Sequence, residues 1–194
     1  MTAGNLVKVP LNRDGPQDAV PAGDVNLAGV TIHGAILGGA PSVNAVMHTH
    51  TPAGVAVSNH PYGLLPLSQH ALRFYGGFGR HEYEGIALDD DEGPRLVENL
   101  DNHELLLLEN HGLLTVGADL PQAFSAMYYA EKACQMQVAT LSSIADGWKK
   151  VSPKTSRRTR RQFVESRGYM YQDWLAIRRE VERSHPGFAE IQEN

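Results

Sequence analysis

Four consecutive leucines, Leu105–Leu108, constrain this chain more than any other stretch. A strand with one wetted face alternates apolar and polar residues, so an unbroken apolar run fits a strand buried on both faces. Asn110-His111-Gly112 follows as a turn, and Leu-Leu-Thr-Val-Gly after it reads as the returning strand.

Other elements fall into place around this pair. Residues 5–11, NLVKVPL, read as a short strand, with a turn at Arg13–Pro16 and a loop from Gln17 to Asp24. Ile32, Ala35 and Ile36 suit one face of a helix between Asn26 and Ala40, although its glycines weaken the pattern. Asn44–His50 reads as a strand, Ser68–Tyr75 as a short helix and Ile86–Leu88 as a brief strand. In DDDEGPRLVENL an acidic group ahead of an apolar periodicity marks a helix start. The clearest helix runs from Leu120 to about Asp146, and another covers Tyr169–Glu182. Short strands interspersed with helices indicate a mixed α/β domain.

The 194 residues suffice for one domain with a real core. The net charge of −5 does not favour a nucleic-acid surface, since phosphate backbones reward positive charge. The single cysteine, Cys134, precludes an intrachain disulfide and fits a reducing cytoplasm. The N-terminus lacks the pattern of a signal peptide, and no apolar run reaches the length of a membrane span. A soluble, cytoplasmic protein is expected.

The chemistry enters at MHTHTPAG, residues 47–54. Residues i and i+2 of a strand share a face, so His48 and His50 project together, as two ligands of one ion must. Imidazole suits zinc and other borderline divalent ions, and a catalytic zinc usually takes three protein ligands. His111, in the turn after the leucine strand, is the best-placed third ligand, with Asn110 and Thr49 candidates to orient the site. The same pair could equally be exposed, or hydrogen-bonded in a core. His33, His60, His70, His81, His103 and His185 show no comparable pairing and suit surface or structural roles.

The segments NAVMHTHTPAGVAVS, GLLPLSQHALRFYG, HEYEG, LLLLENHGLLTVG and AFSAMYYAEKACQMQ resemble, in this order, the class II aldolase/adducin family. The resemblance runs through nearly the whole chain. It implies a three-layer α/β/α sandwich around a mixed, largely antiparallel sheet. It also implies one divalent ion, most often zinc with manganese, cobalt or iron as other candidates, on His48, His50 and His111. In family aldolases the ion polarises a substrate carbonyl and stabilises the enediolate left by carbon–carbon cleavage. A tyrosine can protonate the leaving oxygen, and Tyr83 of HEYEG is the nearest positional match.

Two departures limit what carries over. Family aldolases place a glutamate four residues before a histidine matched here by His33, and this chain has Gly29 there. Glu82, Glu84 and Glu109 are possible replacements, although each is better read as a solvated or salt-bridged carboxylate. The residues Gly4-Asn5 do not match the family's phosphate loop, and the chain resembles a member lacking the usual N-terminal part. The seven Lys and Arg residues between Lys149 and Arg161 read as a solvated helix start or subunit contact. The family commonly forms homotetramers.

The sequence therefore leads to a single domain, residues 1–194, acting as a metal-dependent lyase. It would cleave a carbon–carbon bond in a small hydroxy-carbonyl or sugar-phosphate-type substrate. Decarboxylation through the same enolate chemistry is the enzymatic alternative, made more credible by Gly29. A non-catalytic, adducin-like interaction module is the other.

Overall fold

The computed structural model describes residues 2–11, 25–88, 90–143, 147–166 and 168–190. In chain order these form α1 (Leu27–Gly39), β1 (Ala45–Thr49), α2 (Pro52–Ser58), β2 (Gly79–His81), α3 (Gly93–Leu100), β3 (Leu105–Leu108), β4 (Gly112–Gly117), α4 (Leu120–Ser143), α5 (Pro153–Glu165) and α6 (Tyr169–Ser184). The turn at 13–16, the loop at 17–24 and the helix tail at 144–146 lie outside the described residues.

The strands form one sheet in the order β1-β4-β3-β2. Both β4 pairings are antiparallel and β2 runs parallel to β3. The leucine run explains the layering. Leu105 and Leu107 enter a cluster with Val57, Phe74, Met127 and Ala130, on the face covered by α2 and α4. Leu106 and Leu108 enter the opposite cluster with Ile32, Ile36, Leu96 and Leu100, from α1 and α3. Each residue of β3 thus has a dry layer to meet, which gives the expected α/β/α sandwich around a mixed, largely antiparallel sheet. Leu107 is fully buried. Leu107→Ala should cost about 2–5 kcal/mol, because the lost transfer energy adds to a cavity that the flanking helix cannot close. Urea unfolding of the two proteins measures it.

Three local expectations are corrected. Residues 5–11 form no strand: a 3-10 turn covers Ala3–Asn5 and residues 6–11 pair with no strand of the sheet. Ile86–Leu88 is a bend with Ile86 and Leu88 exposed, and the edge strand is instead β2, Gly79–His81. Only Ala71–Phe74 of the expected 68–75 helix is helical, as a 3-10 turn.

The basic segment becomes α5, capped by Ser152, whose side chain accepts from the Thr155 amide at 3.2 Å. Its inward face carries Ser156, Phe163 and Arg160. Lys154, Arg157, Arg158 and Arg161 lie at i, i+3, i+4 and i+7 on the exposed face, in keeping with a solvated stripe. Arg160 donates to Glu104 at 2.6 Å, and the buried Arg73 approaches the same carboxylate at 3.1 Å. Burial alone would raise the Glu104 pKa, but the two guanidiniums hold the carboxyl below its ordinary range. No helix among the described residues is long and apolar enough to cross a membrane.

Candidate metal centre

His48 lies on β1 opposite Leu114, on the same face as Val46, and His50 follows just past the strand end. Thr51 then starts α2: its hydroxyl accepts from the Gly54 amide at 3.2 Å, and Pro52 takes the first turn. The end of β1 is thereby fixed between its neighbour β4 and a capped helix.

His111 is delivered by the β3–β4 hairpin. Leu108 pairs with Gly112, leaving Glu109, Asn110 and His111 as the loop. Asn110 adopts φ 58°, a left-handed conformation that asparagine tolerates better than most residues. Its amide donates to Asn59 Oδ1 at 2.7 Å, and the His111 amide donates back to Leu108 O at 3.1 Å. A Cβ on Gly112 would stand 2.2 Å from Thr49 O, so only glycine lets the hairpin approach β1 this closely. Asn110 thus makes the turn, His111 presents its imidazole, and Gly112 permits the close approach.

The three imidazoles meet. His48 Nε2 lies 2.7 Å from His50 Nε2 and 3.3 Å from His111 Nε2. The Nδ1–H of His48 donates to Leu113 O at 2.9 Å, which fixes the tautomer and turns the Nε2 lone pair toward the other two rings. One proton can bridge only one pair, whereas a divalent ion answers all three lone pairs. A tetrahedral zinc holds imidazole nitrogens roughly 3.3 Å apart, by its bond length of about 2.0–2.1 Å. The donor set therefore fits a borderline divalent cation.

The electrostatics agree. Burial lowers the His48 pKa to about 4; the Leu113 carbonyl acts in the opposite sense, and His111, His50 and His33 add to the lowering. Burial also lowers the His111 pKa, with help from His50 and His81. At neutral pH these groups are already neutral, the form a metal requires. The same shift predicts acid sensitivity. Between the ordinary histidine value and about 4 the unfolded chain binds a proton at residue 48 that the native state does not. Stability of the metal-free protein should therefore fall as pH drops through that window, and His48→Gln should flatten the fall. Unfolding free energies across the pH range check it.

The orienting groups differ from those expected. Thr49 Oγ1 donates to Met127 Sδ at 3.3 Å and Asn110 anchors the hairpin, while a backbone carbonyl of β4 aligns His48. No side-chain pattern could have revealed that carbonyl. Tyr83 stands beside the triad, edge-on to His111 with ring centres 6.3 Å apart, and is 54% exposed. Glu84 is held by Arg95, and Glu109 by Arg80 at 2.6 Å, so both are salt-bridged carboxylates. Glu82 is exposed. His33 on α1 packs edge-on to His48, with ring centres 6.5 Å apart, and burial lowers its pKa. His81 is structural and buried: it lies 3.1 Å from Glu92 and accepts from Asn99 at 2.9 Å.

An α/β/α sandwich that gathers three imidazoles at the end of an antiparallel strand pair is the class II aldolase fold. Residues 1–138 match the family described as Class II Aldolase and Adducin N-terminal domain, and the chain belongs to that family. It is 38% identical over 191 residues to a class 2 aldolase-like protein of Caulobacter vibrioides, covering 98% of this chain and 74% of that one. It is 41% identical over 144 residues to alpha-adducin of Rattus norvegicus, covering 74% of this chain but 20% of adducin. An aldolase II superfamily protein from Pseudomonas syringae superposes with a TM-score of 0.85 at 39% identity, over 98% of this chain and 76% of that one. The fold is also that of an L-fuculose 1-phosphate aldolase from Glaciozyma antarctica, with a TM-score of 0.76 at 24% identity, over 98% of this chain and 73% of that one.

Proposed function

We propose that His48, His50 and His111 hold one divalent ion, zinc above manganese, cobalt or iron, and that the chain is a metal-dependent lyase. The convergence of three Nε2 atoms, one of them oriented by a main-chain carbonyl, carries this reading. A bound ion would supply Lewis-acid polarisation of a carbonyl and offset charge developing on oxygen as a carbon–carbon bond breaks. The chain's own residues do the rest. The β3–β4 hairpin and the end of β1 would position the ligands, and Tyr83 offers a phenol beside His111, to protonate the aldehyde oxygen in the condensation direction and, as phenolate, to take the hydroxyl proton when the bond is cleaved. The substrate is a small hydroxy-carbonyl compound. The single cysteine, buried and free, suits a cytoplasmic setting, and a homotetramer is the assembly expected with this reading.

Decarboxylation is the second reading, and Gly29 favours it. That position has no carboxylate, and Glu84 and Glu109 are engaged by arginines, so a reaction that releases carbon dioxide from an already ionised carboxylate, with no hydroxyl proton to remove, suits this site. Zinc-loaded protein should release an aldehyde or carbon dioxide from a panel of hydroxy-keto acids and sugar phosphates. Inactivity across the panel by a protein that holds stoichiometric zinc would leave the adducin-like interaction module.

A further inference from the structure

β2 ends at His81, and the chain then carries Tyr83 past the triad with no regular structure of its own. Of residues 82–88 only Ala87 is buried, so packing does not fix the phenol. Polar ties hold the segment instead. The His81 carbonyl accepts from the Glu109 amide at 2.9 Å, which joins it to the loop that bears His111. The His81 ring is held from the α3 side: Asn99 donates to its Nδ1 at 2.9 Å, and its Nε2 faces Glu92 at 3.1 Å. Just past Tyr83, Arg95 grips Glu84 with two bonds, Nε to Oε1 at 2.8 Å and Nη2 to Oε2 at 2.5 Å. Arg95 and Asn99 stand at i and i+4 and therefore share one face of α3. The helix itself is anchored in the core by Leu96 and Leu100. Tyr83 thus lies between two points tied to one rigid element, with its ring edge-on to His111.

The Arg95–Glu84 pair is partly exposed, so it adds little to global stability. A bidentate guanidinium–carboxylate pair supplies direction, because its two parallel bonds fix orientation as well as distance. Resting on the metal-lyase reading above, we propose that Arg95 is a positioning residue: together with Asn99 it braces the chain on both sides of Tyr83 and holds the phenol against the three histidines. The ion pair then serves the reaction without touching the substrate.

Fluorine NMR of the full chain tests this. Tyrosine is replaced throughout by 3-fluorotyrosine, the Tyr83 line is assigned by its loss in Tyr83→Phe, and the protein is loaded with cobalt(II) in place of zinc. Paramagnetic relaxation falls very steeply with distance, so cobalt should strongly enhance relaxation of the Tyr83 line. Arg95→Met should keep stoichiometric cobalt and the wild-type melting temperature, yet lose about half of that enhancement or more, because a ring freed to swing on the nanosecond timescale spends less time near the ion. Glu84→Ala should do the same from the other side of the pair. Arg178→Met, which breaks a comparable exposed pair with Glu182 on α6, should change nothing. Full enhancement in Arg95→Met or Glu84→Ala, an equal loss in Arg178→Met, or no enhancement at Tyr83 in cobalt-loaded wild type would each overturn the inference while leaving the metal centre intact. Failure of the wild type to hold cobalt or zinc would overturn the metal reading and this inference with it. Either variant of the pair decides the matter even should the other not fold.

Discussion

His111→Ala should strip the purified protein of stoichiometric metal while leaving it folded. The side chain leaves from a hairpin loop whose backbone is held by other groups, the Asn110 amide on Asn59 and the Leu108–Gly112 pair. The fold therefore has no need of the imidazole. The proposed ion does: two nitrogens from one strand end do not enclose a cation, and water would have to supplement the remaining ligands. Losing a residue that merely orients a ligand weakens metal binding about 10–100-fold. Losing the ligand itself should exceed the upper end of that range. Zinc content after dialysis, with thermal unfolding in parallel, measures both halves. Full zinc in a folded variant would refute the three-histidine centre.

Gly112→Ala should do more damage than any other single added methyl near the site. Its Cβ would stand 2.2 Å from Thr49 O, where the obstacle is backbone, not a flexible side chain. Either β4 moves away from β1 or the hairpin twists. Both disturb the Leu113 carbonyl that orients His48 and the loop that carries His111. Overpacking of this kind typically costs about 1–3 kcal/mol, and backbone opposition places this case at the top of that span or beyond. Metal affinity should fall with stability, whereas His111→Ala loses metal alone. Comparing the two variants separates ligand loss from hairpin displacement.

The sequence showed the strongest features because they are repetitive or self-contained. The leucine run, the hairpin turn after it, the long α4 helix and the H-x-H spacing each carry their signal within a few residues. β2 was hidden for the opposite reason. Gly-Arg-His has no apolar alternation, and it becomes a strand only because Leu106–Leu108 offer it an edge. Ile86-Ala-Leu88 has the alternation and forms no strand: the sheet edge is already taken, and its two large side chains face water. Residues 5–11 show the same failure, with Pro10 lacking the amide that pairing needs. In the site, the side chains were legible from their spacing. Their support was not, since a carbonyl from β4 and the ion pairs Arg80–Glu109 and Arg95–Glu84 depend on tertiary approach. His81 likewise owes its buried place to Glu92 and Asn99, which reach it from outside its own strand.

The first two residues of β4 serve both sides of the site. Gly112 closes the loop bearing His111, and Leu113 supplies the carbonyl for His48. Loop length is consequently part of the geometry that brings the imidazoles together. A residue inserted between Leu108 and Gly112 could be absorbed by the hairpin without touching either apolar cluster, yet it would throw His111 out of phase with His48. Surface loops ordinarily tolerate such insertions, but this one behaves as a ruler: its length sets how far the His111 nitrogen stands from that of His48.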